Sequence, residues 1–331
     1  MMKGMRDALT YNSLNFSPYQ YRQMRIMEFP RYQSFAQSFA NTVPFSEAIG
    51  FMLKIDDNDP EAVDMAYYVT AHEIGHQWWG HQVMEAGVKG NAMLSETMSQ
   101  YTALMVMKHA YPTELIQKYL RFELDRYLFG RATESKKEQP LAQVEGQGYI
   151  HYQKGSLVMY ALQDYLGEDS VNAALKRFVR DWAWREDRYP TSADLIGYFK
   201  QVTPDSMMYL YEDMFETITL FENRTREAKS EALPDGTYKV SLDLETIKYR
   251  ADSLGNEKAI PIADWIDIGV YGKSAKGQDS LLYLKKHRIA EEKTHIEVIV
   301  PAKPAKAGID PINKLIDRNP EDNVKGVTEG V

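Results

Sequence analysis

The spacing of apolar positions changes along the chain. Near the start, Arg25-Ile26-Met27-Glu28-Phe29 and Ile49-Gly50-Phe51-Met52-Leu53 have strand character, bounded by Pro30, Pro44 and the polar run Asp56-Asp57-Asn58-Asp59-Pro60. From Pro60 and Glu61 the spacing turns helical, through Ala66 and Val69 to Trp78 and Trp79, with Gly80 near the helix end. Further helices are predicted over Glu96 to Lys108, Thr113 to Phe129, Lys154 to Leu166 and Ser170 to Trp184, the last on Val171, Leu175, Phe178, Val179 and Trp182. Thr191-Ser192-Ala193-Asp194 after Pro190 reads as an N-cap with acid three residues on, opening a helix through Phe199. The period then becomes two. Thr237 to Ile247 and Trp265 to Tyr271 alternate, Leu281 to Leu284 and Thr294 to Val300 are short apolar runs, and Asp235-Gly236 and Leu254-Gly255-Asn256 supply turns. The predicted organisation is mainly α with α+β elements. Residues 1–225 form one domain (1–59 a strand-rich entry, 60–225 helical), 226–304 a small all-β domain, and 305–331 an irregular tail holding Pro311 and Pro320.

Composition narrows the function classes. The chain has 331 residues, 44% hydrophobic and 26% charged, enough for more than one core. Asp and Glu total 47 against 39 Lys and Arg, and the net charge of -8 argues against nucleic acid or an anionic membrane as partner. With no cysteine, disulfides and thiolate ligands are excluded, so any metal has to be held by His and carboxylate. There is no run of about 18 or more apolar residues, and the start Met1-Met2-Lys3-Gly4-Met5-Arg6 lacks a signal-peptide stretch. As it stands, the chain is expected neither to span nor to target a membrane.

The candidate chemistry is His72-Glu73-Ile74-Gly75-His76. On a helix the two imidazoles lie one turn apart on one face and reach one zinc ion. Glu73, one step round, is placed to act on an attacking water rather than to ligate. A hydrolytic site keeps three protein ligands and one open position, so a third donor is needed from a nearby helix. Glu96, twenty positions beyond His76, leaves room for the first helix to end near Gly80, a loop through Gly87 and Gly90, and a returning helix at Leu94-Ser95-Glu96-Thr97. Glu85 is the rival third ligand but falls before the chain has room to turn back. The pentapeptide alone also arises by chance on structural helices. Trp78, Trp79 and Gly80 directly after it, with a suitably placed Glu, favour the metal site.

These residues resemble the gluzincin zinc aminopeptidase family, the aminopeptidase N and leukotriene hydrolase group. His72-Glu73-Ile74-Gly75-His76-Gln77-Trp78-Trp79-Gly80 is similar to the family's zinc helix. Nineteen residues separate His76 from Glu96 where the family usually has eighteen, and Ser95 stands where Asn is usual. Tyr152-Gln153-Lys154-Gly155 resembles the family's Tyr-Glu-Lys-Gly segment, which implies that Tyr152 donates to the oxyanion of the tetrahedral intermediate. Read without the family, Tyr152 is one of 22 tyrosines and would cap a helix. Of the family's amine-binding loop, Glu47 in Pro44-Phe45-Ser46-Glu47-Ala48-Ile49-Gly50 is the remaining carboxylate, with Glu28 as its rival. The resemblance implies a thermolysin-like zinc peptidase catalytic domain followed by a small β-sandwich. Its cofactor would be zinc (Zn2+), held by His72, His76 and Glu96, with Glu73 and Tyr152 catalytic and Glu47 binding the α-amine of a peptide substrate. The chain looks most like the peptidase part of bacterial ABC-type permease–aminopeptidase fusion proteins, so a covalent membrane permease region is an expected partner. A zinc endopeptidase, or a low-activity binding or regulatory module attached to a transporter, are the alternatives.

Other residues take plainer readings. His81, five positions past His76, would point about 140° away from the metal on a continuous helix. His151 is expected to be solvated, and Trp182 and Trp184 to lie on a helix packing face.

Overall fold

A computed structural model describes residues 1–53, 63–275 and 277–330. It is a mixed helix and sheet structure in two compact units, Met1–Thr217 and Ile218–Val331.

The first unit opens with a helix, α1 (Met2–Asn15), where a strand-rich entry was expected. Its inward face, Gly4, Met5, Ala8, Tyr11 and Asn12, mixes small and polar residues with the larger Met5 and Tyr11, so it carries a weak apolar signal. Long-range hydrogen bonds hold it instead: Tyr11 Oη receives the Asn172 amide at 2.8 Å and donates to Glu168 at 2.9 Å. Strand β1 (Arg25–Phe29) forms as predicted. Its partner is β2 (Thr42–Ser46), parallel and in register from Arg25↔Thr42 to Phe29↔Ser46, whereas residues 49–53, expected as a strand, form none. Residues 47–52 instead turn, with Phe51 and Met52 N–H groups returning to the Glu47 carbonyl at 3.1 and 2.8 Å. Phe51, Met52 and Leu53 are exposed, so their apolar run had no sheet face to occupy.

Helix α2 (Met65–Gly75) carries the His-Glu-x-x-His motif. The predicted start at Pro60 lies outside the described residues. The described start is capped by Asp64, whose carboxylate accepts from Tyr67 N at 2.8 Å. The helix is buried on nearly every side, and it stops at Gly75, short of the Trp pair. Against it packs α3 (Met98–Ala110), so closely that a Cβ on Gly75 would stand 3.1 Å from Ser99 Cα. A wide π turn, Met93–Thr97, runs directly into α3. A second, Tyr149–Lys154, runs directly into α5 (Gly155–Leu166), after α4 (Thr113–Thr133). Helix α6 (Glu168–Trp182) ends before Trp184, which sits at φ 62 and is exposed rather than packed. The expected cap of α7 (Ser192–Lys200) is present as a reciprocal capping box between Thr191 and Asp194.

In the second unit strand begins at once. β3 (Ile218–Ala232) occupies the end of the segment expected to be helical to residue 225, and pairs antiparallel with β4 (Tyr238–Ala251) across the Asp235-Gly236 turn. β4 also pairs with β5 (Glu257–Ile260) and with β8 (Lys293–Val300). A second sheet contains β6 (Asp264–Lys273), β7 (Asp279–Ile289), β9 (Pro304–Ile309) and β10 (Val324–Gly326), and β11 (Thr328–Glu329) joins β3. Alternate residues such as Val240, Leu242 and Leu244, or Ile266, Ile268 and Val270, are buried. The tail is therefore not irregular: three of its segments are strands. Between β9 and β10 the chain buries charged side chains, with Lys314 paired to Asp267 and Asp317 accepting from Asn223 N at 2.8 Å.

Candidate metal centre

His72 lies in the last turn of α2 and His76 caps it, at the helix end where unpaired carbonyls favour a cation. Their Nε2 atoms are 3.1 Å apart, and Glu96 Oε2 lies 3.3 Å from each. Among the described residues this is the group of three His, Asp or Glu side chains whose ligand atoms converge so tightly. Three lone-pair donors aimed at one point repel unless a cation sits between them. Bonds of about 2.0–2.1 Å in a tetrahedral zinc site place ligand atoms roughly 3.3 Å apart, so the donor set fits zinc. His76 Nδ1 donates to the Trp79 carbonyl at 3.0 Å, which directs the Nε2 lone pair into the group.

The electrostatics follow from the same crowding. Burial pushes the Glu96 carboxyl up, but the His72 and His76 imidazoles 3.3 Å away outweigh it and hold Glu96 well below the usual carboxylate range. Burial pulls His76 down, yet Glu96 outweighs it and raises His76 to about 9. Glu73 is buried beside them. Desolvation raises its pKa, partly offset by the two imidazoles. Tyr152, on the second π turn, has its ring 5.8 Å from that of His72, and burial, together with the nearby Glu96 carboxylate, raises its pKa.

These groups line a cleft of about 410 Å³, whose other walls include Phe35, Gln37, Ser38, His81, Glu85 and Ser95. A larger cavity of about 840 Å³ between α1, α3 and α6 lies away from this chemistry. Its main carboxylate, Glu168, is already taken by Lys108 at 2.9 Å and His109 at 2.7 Å.

Sequence reasoning placed several residues differently. Glu47 is not among the residues lining the cleft: it follows β2, and its Oε1 accepts from Arg31 N at 3.1 Å. Glu28 is exposed on β1. Glu85 lines the cleft but is outside the converging trio. His81 also lines it, because α2 ends at Gly75 and the 140° rotation of a continuous helix does not apply. His151 is buried, not solvated, and burial lowers its pKa to about 4. The rim segment Phe35–Ser38 was missed altogether. Its signal was Gln77, inside the motif and fully buried, an amide that has to find partners.

The description "Peptidase family M1 domain" matches residues 4–201. "Endoplasmic reticulum aminopeptidase 2" of Homo sapiens is 27% identical over 124 residues, which is 35% of this chain and 13% of that protein. A mutant of the M1 zinc metallopeptidase from Deinococcus radiodurans has a crystal structure similar at TM-score 0.46 and 18% identity, over 63% of this chain and 42% of that one. The same mutant bound to a Tyr-Ser-Ala substrate is similar at TM-score 0.45 and 18% identity, with the same coverage. The chain thus spans about an eighth of the human relative and under half of the bacterial one. The matched span of residues 4–201 exceeds half of the chain and contains the converging His72, His76 and Glu96 together with Glu73 and Tyr152, and the chain belongs to peptidase family M1.

Proposed function

We propose that the chain is a zinc-dependent aminopeptidase that hydrolyses the N-terminal bond of peptides. The observation that carries this reading is the convergence of His72 Nε2, His76 Nε2 and Glu96 Oε2 within 3.3 Å, with Glu73 and Tyr152 on the same cleft. His72, His76 and Glu96 would hold the ion. When bound, zinc supplies Lewis acidity, polarising a carbonyl and making a water acidic near neutral pH. Glu73, buried with a raised pKa, takes the proton of the attacking water and returns it to the leaving amine. Tyr152, whose burial keeps it protonated, donates its hydroxyl hydrogen to the developing oxyanion. On this reading the first unit is a thermolysin-like catalytic domain and the second a small β-sandwich.

The exopeptidase part is supported by the family and by the name of the human relative. A second reading, a zinc endopeptidase with the same machinery, is favoured by one observation: Glu47, the expected amine anchor, bonds Arg31 N instead of lining the cleft. Zinc analysis combined with hydrolysis of aminoacyl chromogenic substrates, with and without chelator, tests the common part. Hydrolysis that is unchanged after complete metal removal rejects both readings. A matched pair of free and N-acetylated peptides then separates them.

A further inference from the structure

The π turn that carries Glu96 and the π turn that carries Tyr152 are fastened together by Thr97. Thr97 is fully buried, and its hydroxyl donates to the His151 carbonyl at 2.7 Å. A threonine hydroxyl inside a helical segment usually turns back on a carbonyl of its own helix. Here it crosses to the neighbouring turn. Room for it is made by Gly155, the first residue of α5, where a Cβ would lie 2.7 Å from both Cγ2 and Oγ1 of Thr97. The hydroxyl therefore holds the main chain of the residue before Tyr152, and its methyl rests on the helix that follows. His151 extends the clamp: its ring stands edge-on to the Tyr152 ring, with centroids 4.3 Å apart at 69°. On the other side the His72 ring meets Tyr152 at 61°.

We propose that Thr97 is a positioning residue. Through its bond to the His151 carbonyl and its seat on Gly155, it sets the placement of the Tyr152 hydroxyl relative to Glu96 and the histidines. This rests on the reading that Tyr152 is the oxyanion donor. A displacement of about 1 Å in such a donor costs roughly 10²-fold in rate, so a device that fixes it has a kinetic signature distinct from general stability.

Thr97→Val is nearly isosteric and removes the hydroxyl, whereas Thr97→Ser keeps it. The test uses the full chain and an aminoacyl p-nitroanilide, with zinc content and thermal unfolding recorded for every variant. Thr97→Val is expected to lower kcat by about tenfold or more, with KM within about twofold and zinc content unchanged, and Thr97→Ser to recover most of the loss. Combined with Tyr152→Phe, Thr97→Val should add nothing to the loss that Tyr152→Phe causes alone. A further loss in the double variant places the effect elsewhere and overturns the proposal. So does loss of zinc alongside kcat, which would mean that Thr97 acts through Glu96. A normal kcat in Thr97→Val beside an impaired Tyr152→Phe removes this proposal alone. A normal kcat in Tyr152→Phe removes the catalytic reading of Tyr152 and this proposal with it. Should Thr97→Val not fold, Gly155→Ala presses a methyl against Thr97 and is expected to give the same non-additive loss of kcat. Full kcat in Gly155→Ala would then overturn the proposal.

Discussion

Gln77, one residue past the second histidine, donates its side-chain amide to Ser38 Oγ at 2.7 Å and to the Phe39 carbonyl at 2.8 Å. Its Oε1 also accepts from Asn41 N at 3.2 Å. The residue that continues the histidine motif thus ties down the segment forming the opposite rim of the cleft, and Trp78 and Trp79 beside it lock the turn to Ser17 and Thr102.

Gln77→Ala removes these three bonds from a buried site. At about 1 kcal/mol each it should cost roughly 2–3 kcal/mol of stability, and KM should rise because Phe35–Ser38 loses its tether. Zinc content should not change. Thermal unfolding and steady-state kinetics check this, and an unaltered KM would show that the rim does not meet substrate.

Metal binding should depend on three side chains. His72→Ala, His76→Ala and Glu96→Ala are each expected to lose zinc, and Glu85→Ala to retain it, since Glu85 lies outside the converging group. Metal analysis after dialysis decides the assignment. Retention in Glu96→Ala would defeat it.

Glu73→Gln preserves shape but cannot accept a proton. Zinc should be retained while kcat falls by about 10²-fold or more, the usual range for losing a general base. Appreciable turnover at full zinc occupancy would mean that another base acts.

Tyr152→Phe deletes one hydroxyl from a ring held between His72 and His151. A donor used in the transition state should cost about 10²- to 10³-fold in kcat with little change in KM. An effect confined to KM would make Tyr152 a substrate-packing residue.

Because Glu47 is engaged by Arg31 N, Glu47→Ala should not change discrimination between a free and an N-acetylated peptide. If the cleft binds the α-amine through another group, acetylation removes a charge-assisted contact of about 1.5–3 kcal/mol and slows cleavage in wild type and variant alike. Mass spectrometry of the products reads both the rate and the bond cut. Internal cleavage of the acetylated peptide at the rate of the free one establishes the endopeptidase reading.

What could be read from the sequence was local. His72 and His76 share a face because four residues make one helical turn, and a carboxylate twenty positions on has just enough chain to return, so the trio was identifiable before any contact was known. Strands β4 and β6 showed in their alternation, and β8 as a short apolar run. What only the tertiary structure decided depends on which distant segments meet. Helix α1 buries a mixed face and is held by Glu168 and Asn172, and the segment between β9 and β10 buries charges whose partners are remote in sequence. Glu47 looked suitable as the remaining carboxylate of the expected amine-binding loop, but the fold turned it towards Arg31 and set Phe35–Ser38 at the rim instead. His81 entered the cleft because the helix ended early, and Thr97 met His151 because two π turns were packed side by side. Periodicity reports which face a residue is on. What that face touches is set by contacts between segments that no local pattern encodes.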